Sequence, residues 1–116
     1  MAEPDCCSLT TQGRVTGAPH EIEIWFARSA NTLYLLAGAR ERSDWVRNLQ
    51  RDPVVTVRID DETWLAEARV VEAGTDEDTR ARDLVHERYR SADDDLVAWR
   101  DHALPVALDL TTRAQS

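Results

Sequence analysis

The sequence predicts a mainly β, α+β domain: about six antiparallel strands closing into a small barrel, with short helices that plug or flank it. Three observations predict this. Runs of alternating or β-branched apolar residues are joined by short turns, the pattern of successive hairpins. One short helical segment interrupts them near residues 44–51, and a longer helical stretch begins only at Thr75, ahead of one last strand. That order suits an antiparallel sheet curled on itself.

The elements follow in turn. Cys7 to Gln12 reads as a short strand running into the turn Gly13–Gly17. From Pro19, Ile22, Ile24 and Phe26 face one way and Glu21, Glu23 and Trp25 the other, a period of two. Ser29-Ala30-Asn31-Thr32 is a hairpin loop in which Asn31 best tolerates left-handed geometry. Leu33 to Ala37 is apolar on both faces and predicts a central strand. After the loop Gly38–Arg42, Ser43 or Asp44 caps a helix to about Arg51 that pairs Trp45 with Leu49 one turn apart. Asp52-Pro53 ends it, because the residue before proline is pushed out of the α region. Val54–Ile59 and Thr63–Ala73 read as strands around the turn Asp60–Glu62, the second with Trp64, Ala66, Ala68 and Val70 on one side. Thr75 then caps a helix with acids in its first turn, arginines later, and Ala81, Leu84, Val85 and Tyr89 as its buried stripe. Ser91 caps a second short helix with Leu96 and Trp99 inward. Pro105–Leu110 is the last strand, and Thr111–Ser116 is expected to fray.

The chain of 116 residues, 42% hydrophobic, is enough for one domain, which the pattern places at residues 8–112 between tails 1–7 and 113–116. No apolar run approaches the ~18 residues of a membrane span, and the acidic start is unlike a secretion signal. The expectation is a soluble, cytoplasmic protein. Cys6 and Cys7 are adjacent, too close in sequence to staple distant elements. Net charge is −8, unevenly spread: residues 9–58 hold seven arginines against five acids, residues 59–116 seven against fifteen. Such a balance disfavours nucleic acid and suits a small anionic ligand held in the first half.

His20, His86 and His102 lack paired-ligand spacing, so no metal site is expected. No Gly-x-Ser-x-Gly elbow occurs. Asp93–Asp95 reads as a capping run, and Glu21 and Glu23 as a solvated strand face. What remains is Leu9-Thr10-Thr11-Gln12-Gly13-Arg14-Val15-Thr16-Gly17. Its glycines permit a tight connection that gathers Arg14, Thr16 and bare backbone N–H groups into an anion cradle. The same residues also read as a plain hairpin turn with a solvated Arg14. A cradle without an evident catalyst points to chemistry carried by a bound cofactor.

Three segments together resemble the deazaflavin-dependent nitroreductase and quinone reductase family, whose members use coenzyme F-420. The first, Leu9–Gly17, is similar to the family's Leu-Thr-Thr-x-Gly-Arg-x-Ser/Thr-Gly, with His20 where many members carry arginine. The second is Leu35-Leu36-Ala37-Gly38-Ala39. The third, Asp44-Trp45-Val46-Arg47-Asn48-Leu49 followed by Asp52-Pro53-Val54-Val55-Thr56-Val57, is similar to its Trp-x-x-Asn-Leu segment and following proline and valines. Ser43 stands in place of a usual proline, and Val46 in place of a frequent aromatic.

The resemblance implies a split β-barrel of the pyridoxamine-phosphate-oxidase, FMN-binding type. It implies that Arg14, Thr16, Gly17 and His20 hold the phosphate-bearing tail, and that Ala37, Gly38 and Ala39 offer backbone to the ring edge. Arg40 and Arg42 would add positive charge. Trp45 and Asn48 fall at motif positions near the cofactor, or serve as a core plug and a local backbone partner. The implied reaction is hydride transfer from reduced deazaflavin to a quinone, enone or nitro compound, with Tyr34, Tyr89 and Trp99 the candidate catalytic residues. FMN is the alternative cofactor, and a carrier barrel without turnover the alternative function. A homodimer is expected, with a small-molecule acceptor and neither nucleic acid nor membrane as partner.

Overall fold

The computed structural model describes residues 6–89 and 101–114. Cys6–Gln12 (β1) and Pro19–Trp25 (β2) form a hairpin that sets Leu9 opposite Ile22 and Cys7 opposite Ile24. Ala27–Ser29 (β3) and Thr32–Ala37 (β4) form the next. A 3-10 turn at Arg40–Arg42 leads into the helix Asp44–Arg51 (α1), then the hairpin Val54–Ile59 (β5) and Glu62–Val70 (β6). The helix Asp76–Tyr89 (α2) and the long strand Leu104–Ala114 (β7) follow.

The strands make one seven-stranded antiparallel sheet in the order β2-β1-β5-β6-β7-β4-β3. Its two edge strands, β2 and β3, are separated in the chain by Phe26 alone. The sheet must therefore curl until its edges meet, which makes the predicted split barrel. Alternation through Ile22, Ile24 and Phe26 reads as one strand, but at Phe26 the chain leaves β1 and pairs with β4 instead. Phe26 is fully buried at this corner, where Arg88 of α2 donates to its carbonyl at 2.6 Å and stacks 4.4 Å from its ring.

Two cores result. Inside the barrel, Leu9, Leu33, Leu35, Val55, Val57, Val106 and Leu108 meet Val46 and Leu49 of α1, which plugs the interior. Each such side chain contributes about 1.5–3 kcal/mol by leaving water. Outside it, Ala81 and Val85 of α2 pack on Tyr34, Leu36 and Ala107. Cys7 lies in the inner core, where burial pushes its thiol up to about 12 and leaves it unreactive.

Several local expectations change. Thr75 does cap α2, accepting from Asp78 N at 3.1 Å, whereas Ser43 holds the cap position of α1 without a side-chain bond. Ala30, not Asn31, takes the left-handed conformation (φ 54°), the Asn31 carbonyl being engaged by Leu110 N at 2.8 Å. β6 stops at Val70. β7 does not fray at Thr111: Thr112, Arg113 and Ala114 pair with Leu65, Trp64 and Thr63. The second short helix expected from Ser91, with Trp99, lies outside the described residues, as does the side chain of Tyr89. Among the described residues no helix is long and apolar enough to cross a membrane.

Candidate functional site

The connection between β1 and β2 is tightly closed. Gly13 N donates to Ala18 O and Gly17 N to Gly13 O, both at 2.8 Å, and Ala18 N reaches Thr16 Oγ1 at 3.3 Å. Gly17 sits at φ 76°, where a side chain is strained. A Cβ on Gly13 would come within 2.9 Å of His20 Nε2, so this glycine is set by packing. The expected cradle of bare N–H groups is thus narrowed: those of residues 13, 14, 17 and 18 are spent within the protein.

Arg14 is not a solvated turn residue either. It folds back onto α1, where Asn48 Oδ1 accepts from Arg14 N at 3.2 Å and from Arg14 Nη1 at 3.0 Å. Asn48 is buried, and its Nδ2 donates to the equally buried Thr11 Oγ1 at 3.2 Å. Both ends of this amide are therefore used, one to brace β1 and one to aim the arginine. On the open side, Arg14 Nη2 meets Asp44 Oδ1 at 3.3 Å. The Arg14 side chain is 33% exposed and that of Asp44 84%, so this half of the clasp is a surface ion pair, worth about 0–1 kcal/mol.

Around the clasp lies a cavity of about 490 Å³ whose walls include Gly13, Thr16, His20, Glu21, Trp45 and Asn48. Trp45 packs against the barrel core and also lines this space. Arg14 and Gly13 also line a second cavity of about 520 Å³ with Gly17, Thr56 and Arg51. Arg51 stands outside the sequence-derived set, and among the described residues it has no ion-pair partner; its place in the last turn of α1 reads as a dipole match. Asp44 is the other residue missed. Sequence reading gave it only a capping role, because its contact with Arg14 spans 30 positions.

The structure thus unites Arg14, Thr16, His20, Trp45 and Asn48, with Gly17 on the adjoining wall. It does not bring in Ala37–Arg42. Ala37 is buried in the ladder opposite Leu104, and Gly38 and Ala39 are exposed but line neither cavity. Arg40 Nη1 donates to His102 O at 2.8 Å, its Nε stands 3.6 Å from Glu41, and Arg42 is exposed. Tyr34 belongs to the outer core, where its hydroxyl donates to Glu77 Oε2 at 2.8 Å. Burial and that bond raise its pKa above the usual phenol value.

With this geometry in hand, the sequence matches the F420H2-dependent quinone reductase family over residues 1–111. The chain belongs to this family. It is an oxidoreductase. No curated protein matches it. Among solved structures, an F420H2-dependent reductase (FDR-A) superposes with a TM-score of 0.73 at 20% identity, covering 92% of this chain and 94% of that one. The haem storage protein HutZ of Vibrio cholerae gives 0.74 at 17% identity, over 94% and 86%. A Listeria innocua protein provisionally assigned as a pyridoxamine 5′-phosphate oxidase gives 0.69 at 15%, over 96% and 87%. These likenesses establish the split-barrel fold.

Proposed function

We propose that the protein binds coenzyme F-420 through an anionic group held at Arg14 and uses it to reduce an electron-poor small molecule, a quinone foremost. The observation that carries this reading is the clasp itself. A guanidinium is held by a buried amide in the wall of a cavity that Trp45 also lines, in a chain of an F420H2-dependent family. The donor set fits the group: Arg14, Arg51, His20 and Thr16 suit phosphate and carboxylate oxygens.

When bound, the reduced deazaflavin supplies a hydride. The chain's own residues do the rest. Arg14 pairs with the anion, Asn48 keeps the guanidinium from swinging into solvent, and Trp45 and Ile22 exclude water from the cavity wall. Ala37 and Arg40 take no part, being committed to the sheet and to His102 and Glu41. Tyr34 is unsuited as a proton donor, since its hydroxyl already serves Glu77. That leaves solvent or Tyr89, whose side chain lies outside the described residues, to supply the acceptor's proton.

The test is a fluorescence titration of the purified protein with coenzyme F-420 and, separately, with FMN. Saturable binding of F-420, and turnover of a quinone with the reduced form, support the reading. Binding of FMN alone overturns it. The reading includes a homodimer, which light scattering would register as twice the chain's 13.1 kDa.

A further inference from the structure

The two sides of the Arg14 clasp are built differently. The Asn48 side is buried and braced by Thr11, while the Asp44 side is open to water. From this the geometry points to Asp44 as a resident counter-ion: its carboxylate occupies the position on Arg14 that a ligand's phosphate or carboxylate must take, and has to be displaced for binding. The inference rests on the proposed role of Arg14 as the anion-binding residue.

Three features support displacement. First, the contact is a single exposed pairing at 3.3 Å, of the kind that is easily exchanged. Second, Asp44 opens the first turn of α1, where unpaired helix N–H groups favour a negative charge, so the carboxylate has a place to stay once it leaves Arg14. Third, Asp44 and Glu21 both line the cavity, so the displaced carboxylate remains close enough to repel the incoming anion.

The consequence is selectivity. A small free anion gains only Arg14 and still faces two carboxylates. A larger ligand, one joining its anionic group to a flat apolar body, also gains the Trp45 face and the second cavity with Arg51. Asp44 therefore holds the site closed to free phosphate at the cost of some affinity for the proper ligand.

The test compares wild type with Asp44→Asn, which keeps an acceptor oxygen beside Arg14 and removes the charge. Two probes are used: coenzyme F-420 by fluorescence titration, and inorganic pyrophosphate by the upward shift it causes in the thermal midpoint. Asp44→Asn is expected to tighten F-420 binding roughly two- to fivefold. It should also enlarge the pyrophosphate shift and make inorganic phosphate a better competitor. In an Arg14→Ala background the same substitution should have a clearly smaller effect, since no ion pair is left to displace and only the carboxylate's repulsion is relieved. Unchanged or weaker binding by Asp44→Asn, while Arg14→Ala still weakens F-420, overturns the counter-ion and leaves the site reading standing. If F-420 fails to bind wild type but pyrophosphate stabilises Asp44→Asn more than wild type, the counter-ion stands and the cofactor reading falls. If pyrophosphate stabilises both equally or neither, and F-420 does not distinguish them, the counter-ion is overturned.

Discussion

Two arginines in this barrel stand in opposite situations. Arg69 of β6, itself partly exposed, has a carboxylate on every guanidinium nitrogen: Nε donates to Asp109 Oδ2 at 2.7 Å and Nη2 to Glu77 Oε2 at 2.8 Å, while Nη1 pairs with Glu77 Oε1. Those acids are themselves held, Glu77 by Tyr34 and Asp109 by Thr32 at 2.9 Å. The cluster ties α2 to β4, β6 and β7. Arg14 instead has one buried partner and one exposed one, beside two cavities. A guanidinium met by carboxylates at every nitrogen is a clamp; one held by a buried amide on one side and an exposed carboxylate on the other keeps an exchangeable side, which suits the binding role proposed for Arg14.

The largest expected effect breaks the open side. Arg14→Ala should weaken coenzyme F-420 binding more than tenfold, because it leaves a ligand anion without its fork of donors, yet hardly move the thermal midpoint. Asn48→Ala should do some of both. It leaves Arg14 N and Thr11 Oγ1 without their buried partner, costing about 1–3 kcal/mol in a denaturant titration, and it loosens the cofactor because Arg14 is no longer aimed.

On the closed side, Arg69→Ala should leave F-420 affinity within twofold while lowering stability by about 1–2 kcal/mol, a figure kept small because the cluster is partly exposed. That corresponds to a fall of roughly 4–8 °C in Tm. Acid sharpens the same contrast. Bonds from Arg69 hold the carboxyls of Glu77 and Asp109 below their ordinary values of 4.5 and 3.8. Their contribution is therefore complete above those values and lost as pH falls below them through the lowered folded-state values. The acid-induced drop in Tm should be shallower in Arg69→Ala. The smallest effect is at the turn, where Gly17→Ala should cost about 1 kcal/mol for its left-handed backbone, the space beside it being open.

Much of this was legible in the sequence, for reasons that can be named. The run 54–59 reads as a strand because one face of it is buried, and the alternation in 19–25 because its isoleucines turn half-buried toward the core; Thr75 marks its helix because its hydroxyl meets an amide three residues on. The Gly13–Gly17 segment singles out Arg14, which the closed turn places in a cavity wall, but through its side chain and not through the bare N–H groups the glycines suggest. The break at Phe26 was hidden because apolar alternation runs through it, and only a change of pairing partner makes the corner. The commitment of Tyr34 to Glu77 and of Arg14 to Asp44 was hidden for another reason. Those contacts join residues 43 and 30 positions apart that each have an ordinary local role as strand or cap.

The comparison is tested most directly by one crossed measurement: the Kd for coenzyme F-420 and the Tm of Arg14→Ala and Arg69→Ala, measured side by side with wild type. The account predicts that Arg14→Ala loses binding and keeps stability, and that Arg69→Ala loses stability and keeps binding. Unchanged F-420 affinity in Arg14→Ala, or a loss of affinity in Arg69→Ala as great as its own, would contradict it.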